Sequence, residues 1–225
     1  MLAAIDADEP DELWCLGDLV GYGPEPNRCC EAVAARARVC LIGNHDLLAL
    51  GKATVDEDEF NPDALAAGRW TRSVLTDESR SFLESLEPQA RVGDVELYHG
   101  SPRDPVWEYV LTMDAVLASF ALTEQPLVLV GHSHVPLSIS LVEDELSGGI
   151  AGGGEEAELS RGRWLLNPGS VGQPRDGDAR AAYLMLEGNA HARFKRVAYP
   201  VERTQAEMRE RGLPDALAER LAHGV

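Results

Sequence analysis

Apolar residues are grouped in short runs that alternate with stretches of helical periodicity. Four runs end abruptly in polar, glycine-flanked clusters, as buried strands do, at residues 13–16, 39–42, 95–98 and 127–130. Between them the pattern predicts helices at residues 26–36, 62–75, 77–86 and 112–122. In the last helix, apolar side chains recur at helical spacing and predict a core-facing stripe: Met113, Val116, Leu117, Phe120 and Ala121. Alternating strands and helices predict an α/β fold.

The pattern changes after residue 130. Strands with short connections, which favour antiparallel pairing, are predicted at residues 137–142, 163–166, 181–186 and 190–197. Residues 143–161 are acidic and rich in glycine, and we interpret them as a mobile, solvated loop. Helices are predicted around residues 202–211 and 214–223. No internal repeat or long linker divides the chain, so we expect a single domain over residues 1–225.

Composition narrows the class of protein. Hydrophobic residues make up 44% and charged residues 26% of the 225, which excludes a largely disordered chain. No apolar run reaches membrane-spanning length and the first residues do not form a signal peptide, so we expect a cytoplasmic protein without membrane contact. The four cysteines lack metal-finger spacing and are interpreted as small hydrophobic residues.

The net charge of −18 argues against a nucleic-acid partner, because nucleic acid is bound by basic surfaces. Lys52 and Lys195 are the only lysines among the 20 basic residues, and acidic residues number 38. This balance fits either a GC-rich genome or an acidic proteome adapted to high salt, where screening shortens the range of charge repulsion.

Polar side chains that can bind metal or take part in catalysis follow each of the four early strands. These are Asp18, then Asn44 and His45, then His99, then His132 and His134. Ligand sites in open α/β sheets lie beyond the carboxyl ends of the strands, where such residues converge. Each residue alone has a structural explanation, as a turn or a hydrogen-bonded core histidine. Their joint placement at four strand ends indicates a common site.

Carboxylate, amide and imidazole donors suit divalent manganese, iron, zinc, nickel or cobalt, among which we favour manganese. The mixture is typical of a two-metal hydrolytic centre, in which a shared carboxylate holds both cations and a bridging hydroxide attacks phosphorus in line. A histidine outside the metal set can then serve the leaving oxygen.

The ordered motifs resemble those of calcineurin-like metallophosphoesterases. They are GDLVG at 17–21, GNHD at 43–46, HG at 99–100 and GHSH at 131–134, and NPGSVGQPR at 167–175 is similar to a later motif of the small prokaryotic phosphodiesterase branch. The resemblance implies two mixed β-sheets packed face to face with helices outside, a four-layer αββα sandwich. It also implies a small phosphate diester, nucleotide-like or otherwise, as substrate.

The resemblance further implies a role for each matched residue. Asp18 would bridge two metals; Asn44, His99 and His132 would complete one of them, and His134 would ligate the other. His45 would face the leaving group. Asp46 is interpreted either as a residue that orients its neighbours or as a helix cap.

One family motif, Asp-x-His at the end of a first strand, has no counterpart in this sequence. Five ligand groups are also too few for two metals of ordinary coordination number. We therefore expect that the natural protein has an upstream strand carrying this motif, and that the chain of residues 1–225 has weak activity.

Two further residues are candidates for substrate binding. Tyr22 lies in a Gly-Tyr-Gly-Pro loop beside Asp18 and could line the pocket or merely pack. Arg175 could contact phosphate, although the exposure typical of arginine favours a surface ion pair. Gly21 and Tyr22 stand where serine/threonine phosphatases of the superfamily have an Asp-Arg pair. The alternative functions are a non-catalytic protein-interaction scaffold of the same fold and a nuclease. His45 favours an enzyme, because a scaffold has no use for a leaving-group acid.

Overall fold

A six-stranded mixed sheet is the largest element in the computed structural model, which describes residues 1–52 and 54–225. The strands are β1 (Leu13–Cys15), β2 (Ala37–Cys40), β3 (Gln89–Val92), β4 (Val95–Tyr98), β5 (Leu127–Val130), β6 (Leu137–Val142), β7 (Glu145–Ile150), β8 (Glu156–Glu158), β9 (Arg163–Asn167), β10 (Ala181–Glu187) and β11 (His191–Val197). The large sheet has the order β3-β4-β5-β9-β6-β7, with β4, β5 and β9 parallel.

Two smaller sheets accompany the large one. Strands β1 and β2 pair in parallel, and β10, β11 and β8 form an antiparallel sheet. One continuous apolar core joins Leu97 and Leu129 of the large sheet to Ala192 and Phe194 of β11 and to Leu41, which directly follows β2. The sheets therefore pack face to face, and the predicted α/β class with mixed sheets is confirmed.

Helices cover the outer faces. They are α1 (Leu2–Ala7), α2 (Pro26–Ala34), α3 (Asn44–Leu50), α4 (Pro62–Val74), α5 (Asp77–Glu84), α6 (Met113–Leu122), α7 (Val201–Glu210) and α8 (Asp215–Arg220), with a short 3₁₀ turn at Glu57–Glu59. Within residues 1–52 and 54–225, every helix is too short or too polar to span a membrane.

The prediction of a mobile loop at residues 143–161 is wrong, because this segment contains β7 and β8. Glu143 and Asp144 have φ of 50° and 68° and form a tight turn that returns β7 along β6. Glycine permits the close pairing: a Cβ at Gly148 would lie 2.0 Å from the carbonyl oxygen of Ser138. Strand β7 is at the sheet edge and largely exposed, so it lacks the apolar alternation that identifies a strand.

The stripe expected on α6 is also only partly correct. Val116 and Phe120 are buried against the large sheet, whereas Met113 and Leu117 are 62% and 50% exposed. Ser119 takes a core-facing position because its hydroxyl donates to the carbonyl of Ala115 at 2.7 Å, which satisfies the polar group internally. The buried face is therefore rotated from the one that the apolar pattern predicts.

Candidate metal centre

The predicted site residues lie in the loops that leave the carboxyl ends of β1, β2, β4 and β5. Asp18 follows β1, His99 is the first residue after β4, and His132 comes two residues after β5. Because β1 and β2 are parallel, and β4 and β5 are parallel, these ends meet at one side of the molecule. The structure thus brings residues separated by more than a hundred positions into one cluster.

Asp18, His99 and His132 form the centre of the cluster. One ligand atom from each lies within 4.8 Å of the others. The His99 Nε2 atom is 3.5 Å from Asp18 Oδ2 and 3.3 Å from Asn44 Oδ1. Asp18 Oδ1 accepts the backbone N–H of His45 at 2.9 Å, which leaves Oδ2 to face the imidazoles. Four of the five predicted metal ligands therefore converge.

Backbone carbonyls orient three imidazoles of the site. Each ring directs one nitrogen at a main-chain oxygen, and the pairs are His99 Nδ1 with Leu16 (2.7 Å), His132 Nε2 with Trp107 (3.1 Å) and His134 Nδ1 with Gln173 (2.8 Å). A carbonyl only accepts, so the nitrogen that faces it carries the proton. When such a ring is neutral, its opposite nitrogen presents a lone pair, the form that binds metal.

These donors fit a divalent cation. Asp18 Oδ2 and His132 Nδ1 are buried and have no hydrogen-bond partner among the described residues. The Nε2 atom of His99 lies beside the oxygens of both Asp18 and Asn44. Unpaired buried acceptors are costly, and a cation bound by oxygen and nitrogen would satisfy them together.

Electrostatics keep the cluster in its metal-binding protonation state. Burial alone would raise the pKa of Asp18, but the imidazoles, that of His99 foremost, lower it to about 2. Burial lowers the pKa of His132 to about 4 and, with the charge of Arg175 nearby, that of His134 to about 3. The carboxylate is therefore charged and both imidazoles are neutral at neutral pH.

Three site residues have a strained backbone. Asp18, His132 and His134 have φ of 53°, 58° and 59°, in the left-handed region that non-glycine residues rarely adopt. Each such residue costs of the order of 1 kcal/mol or more and persists only where surrounding contacts enforce it. Here the left-handed turns direct the Asp18 and His132 side chains into the cluster and that of His134 to its edge.

Asp46 ties two of the site loops together. Its Oδ2 accepts the N–H of Gly43 at 2.9 Å and caps α3, while Oδ1 accepts the N–H of Val20 at 3.1 Å. The carboxyl is fully buried, and burial, with Asp18 close by, raises its pKa well above the ordinary value. Both interpretations offered by the sequence hold, because the same side chain caps the helix and holds the Asp18 loop.

His45, Tyr22 and Arg175 form a second group beside the cluster. The Tyr22 hydroxyl lies 2.8 Å from His45 Nε2, and Arg175 donates to the same hydroxyl at 3.2 Å. Burial lowers the pKa of His45, so its ring is neutral at neutral pH. Phe60 packs edge-on against His45, with ring centroids 5.4 Å apart. The structure thus brings together the two weaker substrate-binding candidates and the proposed leaving-group residue.

His134 stands between these two groups, outside the central triad. Its ring is edge-on to that of Tyr22, with centroids 6.5 Å apart, and its carbonyl accepts the N–H of Arg175 at 3.2 Å. Within the described residues, the triad alone forms a cluster of carboxylates and imidazoles of metal-binding geometry, so the second-cation role that the resemblance implies for His134 stays a prediction.

Sequence reasoning missed the residues that support the ligands. Tyr109 stacks on His132 with centroids 3.9 Å apart and an interplanar angle of 11°. Phe60 packs against Trp107, with centroids 5.9 Å apart. Trp107 and Tyr109 lie between predicted elements, where an aromatic residue carries no periodic signal, so the chain offered no pattern from which to find them.

Comparisons with known proteins bear on this geometry. The family model of the calcineurin-like phosphoesterase superfamily domain matches residues 1–190. A curated relative, the uncharacterized protein MJ0912 of Methanocaldococcus jannaschii, is 35% identical over 219 residues, which are 95% of this chain and 86% of the relative. These matches confirm the resemblance that the motifs indicated.

Two solved structures share the fold. A metallophosphoesterase from Sphaerobacter thermophilus has a TM-score of 0.87 and 44% identity, and covers 100% of this chain and 93% of its own. The hypothetical protein PH1004 from Pyrococcus horikoshii OT3 has a TM-score of 0.79 and 20% identity, and covers 100% of this chain and 91% of its own. The second, at this low identity, shows the fold alone.

Proposed function

Because the chain belongs to the calcineurin-like phosphoesterase superfamily, a family of metal-dependent phosphoesterases, we propose that it hydrolyses a nucleotide-like or other small phosphate diester. The observation that carries the proposal is the convergence of ligand atoms from Asp18, His99 and His132. Two of these atoms, Asp18 Oδ2 and His132 Nδ1, are buried without a hydrogen-bond partner among the described residues. Metal ions bound there would supply positive charge and an activated water for in-line attack on phosphorus. We assign Asn44 to the same metal and His134 to a second one.

The chain's own residues would bind and orient the ester. Arg175 carries the positive charge beside Tyr22 and suits the single negative charge of a phosphodiester. Phe60 and Trp107 form an aromatic wall on the His45 side, against which the organic group of the ester could pack. We assign His45, which lies outside the metal triad, to the leaving-group side of the reaction.

We favour manganese as the metal because the donor set contains oxygen and imidazole nitrogen without thiolate. Cys15 and Cys40 face each other across the adjacent strands β1 and β2 as free thiols, and the described cluster of ligand atoms contains no cysteine. The free thiols support a cytoplasmic location, where thiols are kept reduced. The local positive charge of bound cations would allow an anionic ester to approach a protein of net charge −18.

The test compares two esters with one metal. We expect Mn²⁺-dependent hydrolysis of bis(4-nitrophenyl) phosphate that is abolished by chelation and at least ~10-fold faster than that of 4-nitrophenyl phosphate. His132→Ala should lower the rate by about 10²-fold or more, since a lost ligand weakens the metal at the reacting centre. His191→Ala is the matched control, because His191 is exposed at the start of β11.

Three results would change the conclusion. A preference for the monoester would leave a phosphoesterase but refute the diester assignment. A His132→Ala variant as active as the parent would show that the triad takes no part in the hydrolysis. Mn²⁺ binding by the parent without even the weak hydrolysis that we expect of this chain would favour the non-catalytic scaffold instead.

A further inference from the structure

The hydroxyl of Tyr22 is the meeting point of two side chains with different hydrogen-bonding capacity. The guanidinium of Arg175 can only donate, and it does so to the Tyr22 oxygen at 3.2 Å. The His45 ring contacts the same oxygen through Nε2 at 2.8 Å. Which of the two groups donates in this second contact depends on where the neutral imidazole of His45 holds its proton.

Burial of His45 decides the position of that proton. The Nδ1 atom is buried and has no hydrogen-bond partner among the described residues. A proton there would create an orphaned buried N–H, which native structures avoid more strictly than an unpaired acceptor. A proton on Nε2 is satisfied by the Tyr22 oxygen. His45 therefore donates to Tyr22 rather than accepting from it.

Two donors on one phenol oxygen leave its own O–H free. A hydroxyl offers one donor and two acceptor positions, and Arg175 and His45 occupy both acceptor positions. The Tyr22 side chain is half-buried, and its ring lies between those of His45 and His134. Its O–H is thus available at the edge of the metal cluster, where the ester would bind.

Local backbone structure explains why a tyrosine can take this position. Gly21 has a φ of 120°, and a Cβ there would lie 2.8 Å from the Cβ of His45. Only glycine allows the two loops to approach so closely. The close approach places the Tyr22 ring over His45, with centroids 4.3 Å apart.

We propose that Tyr22 is a catalytic residue that donates a hydrogen bond to the leaving oxygen of the ester, with His45 and Arg175 acting through it as positioning residues. This inference rests on the proposed function. As the P–O bond breaks, its electron pair remains on the leaving oxygen, and the Tyr22 O–H stabilises the developing negative charge. Removal of a donor to a developing oxyanion typically costs about 10²–10³-fold in rate.

The first test needs neither metal nor substrate. In metal-free protein, long-range ¹H–¹⁵N correlation spectra of the histidine rings should show the His45 proton on Nε2 near neutral pH. A proton on Nδ1 would overturn the proposal, because Tyr22 would then donate to His45 and have no free O–H. The measurement uses the parent chain and is independent of any activity.

The second test varies the leaving group in a series of aryl phosphodiesters with Mn²⁺. Tyr22→Phe should lower kcat by about 10²-fold for unsubstituted phenol, a poor leaving group, and far less for 4-nitrophenol, whose anion needs little stabilisation. Tyr199→Phe is the matched control, since the Tyr199 hydroxyl is buried without a partner in the described structure. Arg175→Gln should show a smaller loss with the same leaving-group trend.

The outcomes separate this proposal from the function on which it rests. Equal losses for all leaving groups, or no loss, would overturn the role of Tyr22 while leaving the phosphodiesterase intact. No hydrolysis by the parent chain would overturn the proposed function and the role of Tyr22 with it, whatever the proton position on His45.

Discussion

Gly43 is the position where the smallest change should have the largest effect on metal binding. A Cβ at this residue would lie 2.1 Å from Asp18 Oδ1 and 2.6 Å from His99 Cε1. The φ of Gly43 is −111°, which any residue can adopt, so Gly43→Ala adds only a steric clash. Both atoms belong to side chains of the proposed metal centre, and neither can remain in place.

The expected magnitude has two parts. Overpacking a tight site costs about 1–3 kcal/mol of stability, and replacing glycine by alanine at the N-cap of α3 adds about 0.5–1 kcal/mol. Displacement of two ligand side chains should reduce metal affinity at least as much as loss of a residue that orients a ligand, about 10–100-fold. The effect on metal binding should therefore be measurable in protein that still folds.

Urea unfolding and calorimetric titration with Mn²⁺ would measure the two parts separately. Gly23→Ala is the matched control, because its new Cβ would have no neighbour within 4 Å. If Gly43→Ala bound Mn²⁺ as tightly as the parent while Gly23→Ala behaved identically, Asp18 and His99 would not be ligands, and the proposed centre would be wrong.

Three further predictions concern stability. Asp46→Ala leaves the buried N–H groups of Gly43 and Val20 without an acceptor and should cost about 2–5 kcal/mol in urea unfolding, with Asp46→Asn losing less; a cost below ~1 kcal/mol would contradict the two hydrogen bonds. In chelator, the free energy of unfolding should fall as pH drops from about 6.5 toward 4.5. The pKa values of His132 and His134, about 4 and 3, lie below that of an unfolded imidazole, so the unfolded state binds protons before the folded state does. Each such proton lowers the free energy of unfolding by about 1.4 kcal/mol per pH unit, and a flat profile would refute the burial argument. Saturating Mn²⁺ should raise the melting temperature, and excess chelator should reverse the shift, because the ligands bind metal only in the folded state; an unchanged melting temperature would count against a folded metal site.

The strands that carry the site were predictable, and the reason is their burial. Strand β5 is buried along its whole length, so nearly every residue in it is apolar and the run stands out from its surroundings. Strands β7 and β8 are exposed at alternate or most positions, and their pairing depends on a turn and on glycine. The backbone geometry determines where these two strands form, and the hydrophobic pattern does not predict that geometry.

Helix α3 shows a different limit. The apolar run before α3 has the pattern of a strand, and the first residues of α3 belong to a motif of site residues. The hydrophobic pattern therefore does not predict a helix for the seven residues of α3. The helix forms because Asp46 caps it and because Leu48 and Ala49 are buried in the core. Both causes are tertiary, since Asp46 also depends on the loop of Val20.

The site residues were identified by type and position, but their orientation was not. Asp18, Asn44, His99 and His132 follow strand ends, which predicts that they meet. The protonated nitrogen of each imidazole depends on a backbone carbonyl that any residue in that position would supply, so no residue type signals it. Tyr22 and Arg175 are 153 positions apart, and only the folded chain places them in contact.

The carbonyl anchors of the three imidazoles have an evolutionary consequence. Leu16, Trp107 and Gln173 hold His99, His132 and His134 through main-chain oxygens, so amino-acid replacement at the anchors preserves the acceptors. Insertion or deletion beside them would instead move the oxygen and release the ring. Across descendants of this sequence, the length of these loops should therefore be maintained more strictly than the identity of the residues that provide the anchors.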